Sequence, residues 1–244
     1  MSQGGMIVGR AEPGSQVMLD GRPLRVAPDG RFVFGFGRDA APQATLTVTG
    51  SDGAVEHRDF AVAQRTYDIQ RIDGLPPSKV VPPDDLTARL ARERGMVADA
   101  RRNTSDALHW ADPFAWPAAG RISGVYGSQR ILNGDPKQPH YGVDVAGPTG
   151  SPVTAPASGT VVLAEPDFYY EGGIVLIDHG YGVSSTLMHL QTVDVKVGES
   201  VVQGQRIATL GATGRATGPH LDWRMNWNEV RLDPALLVGP VPTK

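Results

Sequence analysis

The chain has no cysteine among its 244 residues. That excludes disulfides and thiol catalysis, although it does not fix the compartment. No run approaches the ~20 consecutive apolar residues that a membrane span requires. The chain also lacks an excess of positive charge. A formal net charge of −3 argues against a strong nucleic-acid footprint. The first residues, Met1-Ser-Gln-Gly-Gly, lack the basic and apolar pattern of a secretory leader. The expectation is that they stand in place of a leader already removed.

What is present is the composition of a globular protein, 40% hydrophobic and 20% charged, on a length that allows one or two domains. Residues 6–63 read as a small β-sandwich-like unit. Short strand candidates at 6–10, 16–19, 31–36, 45–49 and 56–62 are separated by Asp20-Gly21, Asp29-Gly30 and Asp52-Gly53, which are turn signals. His57 stands alone there and reads as a surface residue.

Residues 64–113 read as a connector and helix. Gly74-Leu75-Pro76-Pro77 and Val81-Pro82-Pro83 force extended chain. Asp84-Asp85 resembles a helix start. Leu86, Leu90 and Val97 then make a thin apolar stripe that continues to about Leu108, with Arg89, Arg92, Arg94, Arg101 and Arg102 on other faces. A solvated helix packed on one side is one reading. A basic surface facing an anionic polymer is the other. His109 and Trp110 are expected to dock onto the C-terminal region rather than bind metal.

Residues 114–240 form the third region. Arg121 begins a short strand, residues 127–139 read as a polar loop, and strands are expected at 160–164, 173–178, 183–190, 199–202 and 206–210. Residues 166–173, with Phe168, Tyr169 and Tyr170, read as an exposed aromatic loop. With no long helical pattern, this region should be an antiparallel sheet with loops over it. His179, before Gly180, reads as structural. Asp194, Asp233 and Glu199 are alternative acids, of which Asp233-Pro234 reads as a turn after the last strand and Asp194 should face solvent.

The chemistry concentrates in two stretches. In Gly211–Trp227, polar and apolar residues alternate from His220 onward, as on a half-buried strand. His220 and Asp222 then share one face, and Trp223 and Met225 the other. Taken alone, this pair reads more simply as a capping Asp and a hydrogen-bonded His. The second stretch, His140-Tyr-Gly-Val-Asp144, puts a His and an Asp on one face if extended, with Gly142 leaving space above the strand. Imidazole plus carboxylate is a zinc-like donor set. His189 ends a third alternating run, Ser184-Ser-Thr-Leu-Met-His-Leu190.

Taken in order, H-x-x-x-D, a strand ending in H-L, a Gly-rich turn and G-P-H-L-x-W resemble the signature of lysostaphin-type (LytM-like) zinc metallopeptidases over residues 120–240. The resemblance implies an antiparallel β-sheet peptidase domain at 114–240 in a mainly β chain. It implies zinc held by His140 and Asp144, and catalytic roles for His189 and His220, with base and acid unassigned between them. The family's third ligand is a His at the position of Asp222, and a carboxylate can fill that role. With Asp222 in place of a neutral His, the charge of the ion and its ligands falls from +1 to zero, so bound water should be less acidic. The implied substrate is the peptide of bacterial peptidoglycan, in the periplasm or outside the cell. The alternative is a LytM-like domain that activates a cell-wall amidase or binds the wall.

Overall fold

The computed structural model describes residues 1–72, 86–102 and 104–242. The prolines at 76, 77, 82 and 83 and the helix-start pair Asp84-Asp85 lie outside them. The chain is mainly β, with one helix longer than a single turn among the described residues.

The first 63 residues build two small sheets. Strand β1 (Met6–Arg10) pairs with β4 (Arg31–Gly35), while β2 (Gln16–Leu19), β3 (Arg22–Leu24), β5 (Gln43–Thr49) and β6 (Val55–Ala61) form a four-stranded sheet in the order β3-β2-β5-β6. Alternation along these strands sends Val17, Leu19, Phe32, Phe34 and Leu46 into one shared cluster. His57 is exposed on β6, 3.1 Å from the Thr47 hydroxyl.

This unit is docked on the rest of the chain. Ala27 and Val33 join the larger core that contains Trp223 and Leu232. Arg65 donates to the buried Asp233 carboxylate at 2.7 Å. Asp233 also accepts from the Ala235 amide, so it caps a single 3-10 turn as well as bridging the two parts.

Strand β7 (Ile69–Ile72) falls inside the expected connector. The helix α1 (Thr87–Arg102) is shorter than the apolar stripe suggested. The remaining strands are β8 (Arg121–Gly124), β9 (Gln129–Leu132), β10 (Asp135–Pro136), β11 (Val143–Ala146), β12 (Pro152–Thr154), β13 (Gly159–Phe168), β14 (Gly172–Gly180), β15 (Val183–Val193), β16 (Ser200–Val201), β17 (Arg206–Leu210), β18 (His220–Trp227) and β19 (Val230–Leu232).

The expectation of a loop over 127–139 is corrected. Residues 129–136 form a hairpin, β9-β10, whose two turn residues Asn133 and Gly134 both have positive φ, 51° and 79°. That is a mirror-image turn, for which Asn-Gly is a strong signal. The flanking residues do not alternate, which hid it. β7 adds to the hairpin in parallel, Ile69 opposite Gln129. The aromatic loop is corrected too: β13 extends to Phe168, which is buried, leaving only Tyr169 and Tyr170 partly exposed at the turn.

The other strands form one ten-stranded antiparallel sheet with the path β16-β13-β14-β15-β18-β11-β8. One face carries Val175, Ile177, Leu187, Leu221, Trp223 and Met225 into the main core. Buried residues on the opposite face, Leu163, Leu176 and Met188, pack under α1 through Ala100, Met96 and Val97. The helix and the chemically interesting side chains of β18 therefore share one side of the sheet. Trp110 is buried against Tyr181, ring centroids 5.6 Å apart, so the His109-Trp110 pair docks as expected.

Candidate active site

Strands β11 and β18 run side by side with Asp144 opposite Asp222 and Ala146 opposite His220. On the next strand, Met188 of β15 lies opposite Asp222, one residue before His189. Antiparallel pairing thus gathers side chains that are about 80 residues apart in the chain. Two carboxylates directly opposite one another repel unless a cation lies between them.

His140 arrives by a different route from the one its spacing suggested. Four extended residues span roughly 13 Å, yet His140 Nε2 lies 3.0 Å from Asp144 Oδ1 and 3.4 Å from Asp222 Oδ2. The chain bends at Tyr141-Gly142 before β11 begins. The His140 amide donates to Ser128 and its carbonyl accepts from Gly127, which ties the bend to the β9-β10 hairpin. The expectation that Gly142 leaves space for a ligand is corrected, because that space is filled by the protein itself. A Cβ there would overlap the Asp222 carboxylate and lie 2.6 Å from Arg224 Cγ and 2.7 Å from the Trp223 carbonyl oxygen. Gly124 on β8 is similarly filled, by the carboxylate of Asp144, whose Cγ would lie 2.8 Å from a Cβ.

One donor atom each from His140, Asp144 and Asp222 lies within 4.8 Å of the other two. His140 Nε2 and Asp144 Oδ1 are both buried and have no hydrogen-bond partner despite their approach. Such a pair of unsatisfied donors, with an opposed carboxylate, fits a divalent cation of the kind that takes nitrogen and oxygen ligands.

Two more imidazoles flank the cluster. The His189 and His220 rings are 4.7 Å apart, and His220 Nε2 is 3.9 Å from Asp144 Oδ1. All three histidines are oriented alike. Nδ1 of His140 faces the Val125 carbonyl at 3.3 Å, that of His189 the Thr213 carbonyl at 2.9 Å, and that of His220 the Gly218 carbonyl at 2.8 Å. A carbonyl only accepts, so each Nδ1 carries the proton and Nε2 is presented to the cleft. His189 has φ of 64°, in the left-handed region, beside an irregularity in the β14-β15 pairing. Positive φ in a residue with a side chain is uncommon and concentrates at functional positions.

Electrostatics separate these groups. Burial works against protonation of His140, but the Asp144 and Asp222 carboxylates outweigh it, and its pKa is pushed up to about 10. Burial lowers the pKa of His189, so that ring is neutral. Burial alone would raise Asp222, yet Arg224 and His140 hold it well below the usual carboxylate range.

Sequence reasoning missed Arg224. Its Nε lies 3.1 Å from both Asp222 oxygens and its Nη2 2.6 Å from Oδ2, while the Asp222 side chain is 3% exposed. Arg224 is two residues beyond Asp222 on one strand, so period-two reasoning could have placed it on the same face. Its charge alters the sum at the site. With His140 in the neutral form that a metal ligand requires, His140, Asp144 and the Asp222-Arg224 pair total −1, the same as a neutral-ligand set of two His and one Asp. Thr213 was missed with no sequence signal to find it. Its carbonyl orients His189, and its hydroxyl donates to the Leu190 carbonyl at 2.8 Å.

The remaining candidates lie elsewhere. His179 is fully buried, bonded to the Ser158 carbonyl and the Ser185 hydroxyl, both at 2.7 Å. Asp194 is exposed and paired with Arg206 at 3.1 Å, and Glu199 lies in a turn with its carboxylate near the Lys196 amide.

The model of peptidase family M23 matches residues 138–234, the span that holds every one of the five clustered side chains. A Pseudomonas aeruginosa structure described as a candidate peptidase M23 is 30% identical, with a TM-score of 0.72, covering 98% of this chain and 94% of that one. The peptidoglycan DD-endopeptidase ShyA of Vibrio cholerae is 42% identical over 87 residues, 36% of this chain and 20% of that protein. A lipoprotein NlpD/LppB homolog of Pseudomonas aeruginosa is 38% identical over 101 residues, 41% of this chain and 32% of that protein. The chain thus spans a fifth to a third of the length of these two curated relatives. The match to the Pseudomonas structure runs nearly end to end, through the docked N-terminal sheets as well as the site, and the chain belongs to peptidase family M23.

Proposed function

We propose that this chain is a zinc-dependent endopeptidase that hydrolyses peptide cross-links of bacterial peptidoglycan, working in the periplasm or outside the cell. The observation that carries the reading is the convergence of His140, Asp144 and Asp222 donor atoms within 4.8 Å of one another, directly beside the His189-His220 pair. His140 Nε2, Asp144 Oδ1 and an Asp222 oxygen would hold the ion. When bound, zinc supplies a Lewis acid for the scissile carbonyl and for water.

The chain's own groups supply the rest. His189 and His220 each present Nε2 to the cleft with Nδ1–H tied to a carbonyl. The neutral ring of His189 can accept a proton at Nε2. A protonated Nε2 on its neighbour can donate to the developing oxyanion or to the departing amine. The test is zinc content and cleavage of cross-linked peptidoglycan by the parent, His189→Ala and His220→Ala. Both variants should keep zinc and lose roughly 10²–10⁴-fold in rate. A zinc-loaded parent that cleaves no cross-linked peptidoglycan would overturn the reading.

One observation favours a second reading. Arg224 already occupies both oxygens of Asp222, which weakens its claim as a ligand. A curated relative of this chain is described as a lipoprotein NlpD/LppB homolog. On that reading the chain is an inactive LytM-like domain that activates a cell-wall amidase or binds the wall. Failure to retain zinc at saturating concentration, with stimulation of an amidase, would select it.

A further inference from the structure

Three guanidinium groups stand on the sheet face that carries the site, and only one has an acidic partner among the described residues. Arg224 on β18 is opposite Thr186 of β15. Arg101, in the last turn of α1, reaches down to Thr186, its Nη2 3.5 Å from the hydroxyl. Arg231 on β19 is opposite Asn226, two residues along from Arg224, and donates to its side-chain oxygen at 3.1 Å. Arg231 also lies 6.0 Å from the ring of Tyr141, the residue after His140. Helix, sheet and the bend at 141–142 therefore converge on one cationic shelf at the edge of the candidate metal cluster.

Charge on this shelf is not balanced. Arg224 is committed to Asp222. Among the described residues, neither Arg101 nor Arg231 forms an ion pair, and Arg101 Nε is buried with no hydrogen-bond partner. Glu171 and Glu229 are the acidic groups that act on Arg101, and they do so only at longer range. Burial, together with the like charges of Arg231 and Arg224, pushes Arg101 down to about 9. Arginine does not give up its proton in proteins, so Arg101 stays charged beside two like charges, and burial is the larger part of its unfavourable setting. Partly buried cations held together without counter-ions are unfavourable, and an anion between them relieves the repulsion.

We propose that Arg101 and Arg231, with Arg224 between them, form a subsite for a free carboxylate of a peptide bound across the site. Guanidinium forks match a carboxylate with paired, charge-assisted hydrogen bonds, which a rounder cation such as an ammonium cannot reproduce. The subsite lies on the β18-β19 side of Asp222, so a peptide with its reacting bond at the His140-Asp144-Asp222 cluster would place a terminal or side-branch carboxylate there. The choice of a peptide ligand rests on the endopeptidase reading. The presence of an anion subsite does not.

The test measures binding, not hydrolysis, on the full metal-free chain, so that the probe cannot ligate an ion. Acetyl-dialanine with a free carboxylate is titrated against its C-terminal amide, followed by amide chemical-shift changes. The acid should bind roughly 10-fold or more tightly than the amide, since one charge-assisted hydrogen bond is worth at least that ratio. Arg101→Gln and Arg231→Gln should each remove most of the preference, and Arg231→Lys should keep part of it. Thermal melting of each variant separates loss of the subsite from loss of the fold. Because Arg231 lies on the short edge strand β19, its variant carries the test if Arg101→Gln does not fold. Equal binding of acid and amide by the parent, no binding of either, or a preference that survives in the folded variants overturns the proposal. An absence of peptidoglycan cleavage leaves all of these readouts intact.

Discussion

Replacing Arg224 by Met separates the two parts that Asp222 can play. In the parent, the Asp222 carboxylate is 3% exposed and is held by Arg224, with Nη2 at 2.6 Å from Oδ2. Removing one partner of a buried ion pair typically costs ~3–5 kcal/mol, because the other charge is stranded. Arg224 is itself 27% exposed, so the lower end, about 3 kcal/mol, is expected for the metal-free variant. Zinc changes the outcome if Asp222 faces the ion. With Arg224 gone, both oxygens of Asp222 are free for it, and zinc affinity should rise about tenfold, which adds ~1.4 kcal/mol to the stabilisation at a fixed free zinc concentration. The assay is urea unfolding of parent and Arg224→Met, each with and without zinc. Parent and variant should differ widely without metal and less with it. If zinc stabilises the variant no more than the parent, Asp222 is not a ligand. If the metal-free variant is as stable as the parent, the Asp222-Arg224 pair does not hold the site together.

Three further outcomes are expected from particular contacts. Gly142→Ala places a methyl group against the Asp222 carboxylate and the Trp223 carbonyl oxygen, so it should cost a few kcal/mol and at least tenfold in zinc affinity by calorimetry; unchanged affinity would show that the bend can shift freely. Asp222→His leaves Arg224 unpaired beside an uncharged ligand, so the double variant Asp222→His/Arg224→Gln should bind zinc more tightly than Asp222→His alone, read by competition with a chelating dye. His179 has a folded pKa lowered from 6.5 to about 4, chiefly by burial. Its contribution to stability is therefore complete above pH ~6.5 and is lost as pH falls through about 4, a change of about 3 kcal/mol in all. His179→Gln should flatten stability against pH over that window in denaturant titrations, and an unchanged slope would assign acid sensitivity to other groups.

Local patterns in the chain carry much of the fold. Alternation from His220 onward placed Trp223 and Met225 in the core and His220 and Asp222 on the opposite face, and β18 runs that way, because side-chain direction along a strand depends on parity alone. The same parity would have put Arg224 beside Asp222. Asn133-Gly134 carries the turn of the β9-β10 hairpin, but its flanks, Gln129–Leu132 and Asp135–Pro136, do not alternate and so give no strand pattern. Local patterns also located the buried Trp110 and the turn at Asp233-Pro234.

Tertiary structure decided how the pieces meet. No spacing rule brings His140 against Asp144, because four extended residues would separate them. The bend at Gly142 does so, stabilised by Gly127 and Ser128 of another segment. Only strand pairing sets Asp144 opposite Asp222, and only the fold of 211–219 carries Thr213 under His189. The helix α1 showed its arginines plainly in the sequence, but not that Arg101 would lie over Thr186, two strands from Arg231. The donor types and the strand faces were thus set by residue identity and period. Distances, ion-pair partners and net charge at the site depend on contacts between residues far apart in the chain, and those exist only once the sheet has closed around them.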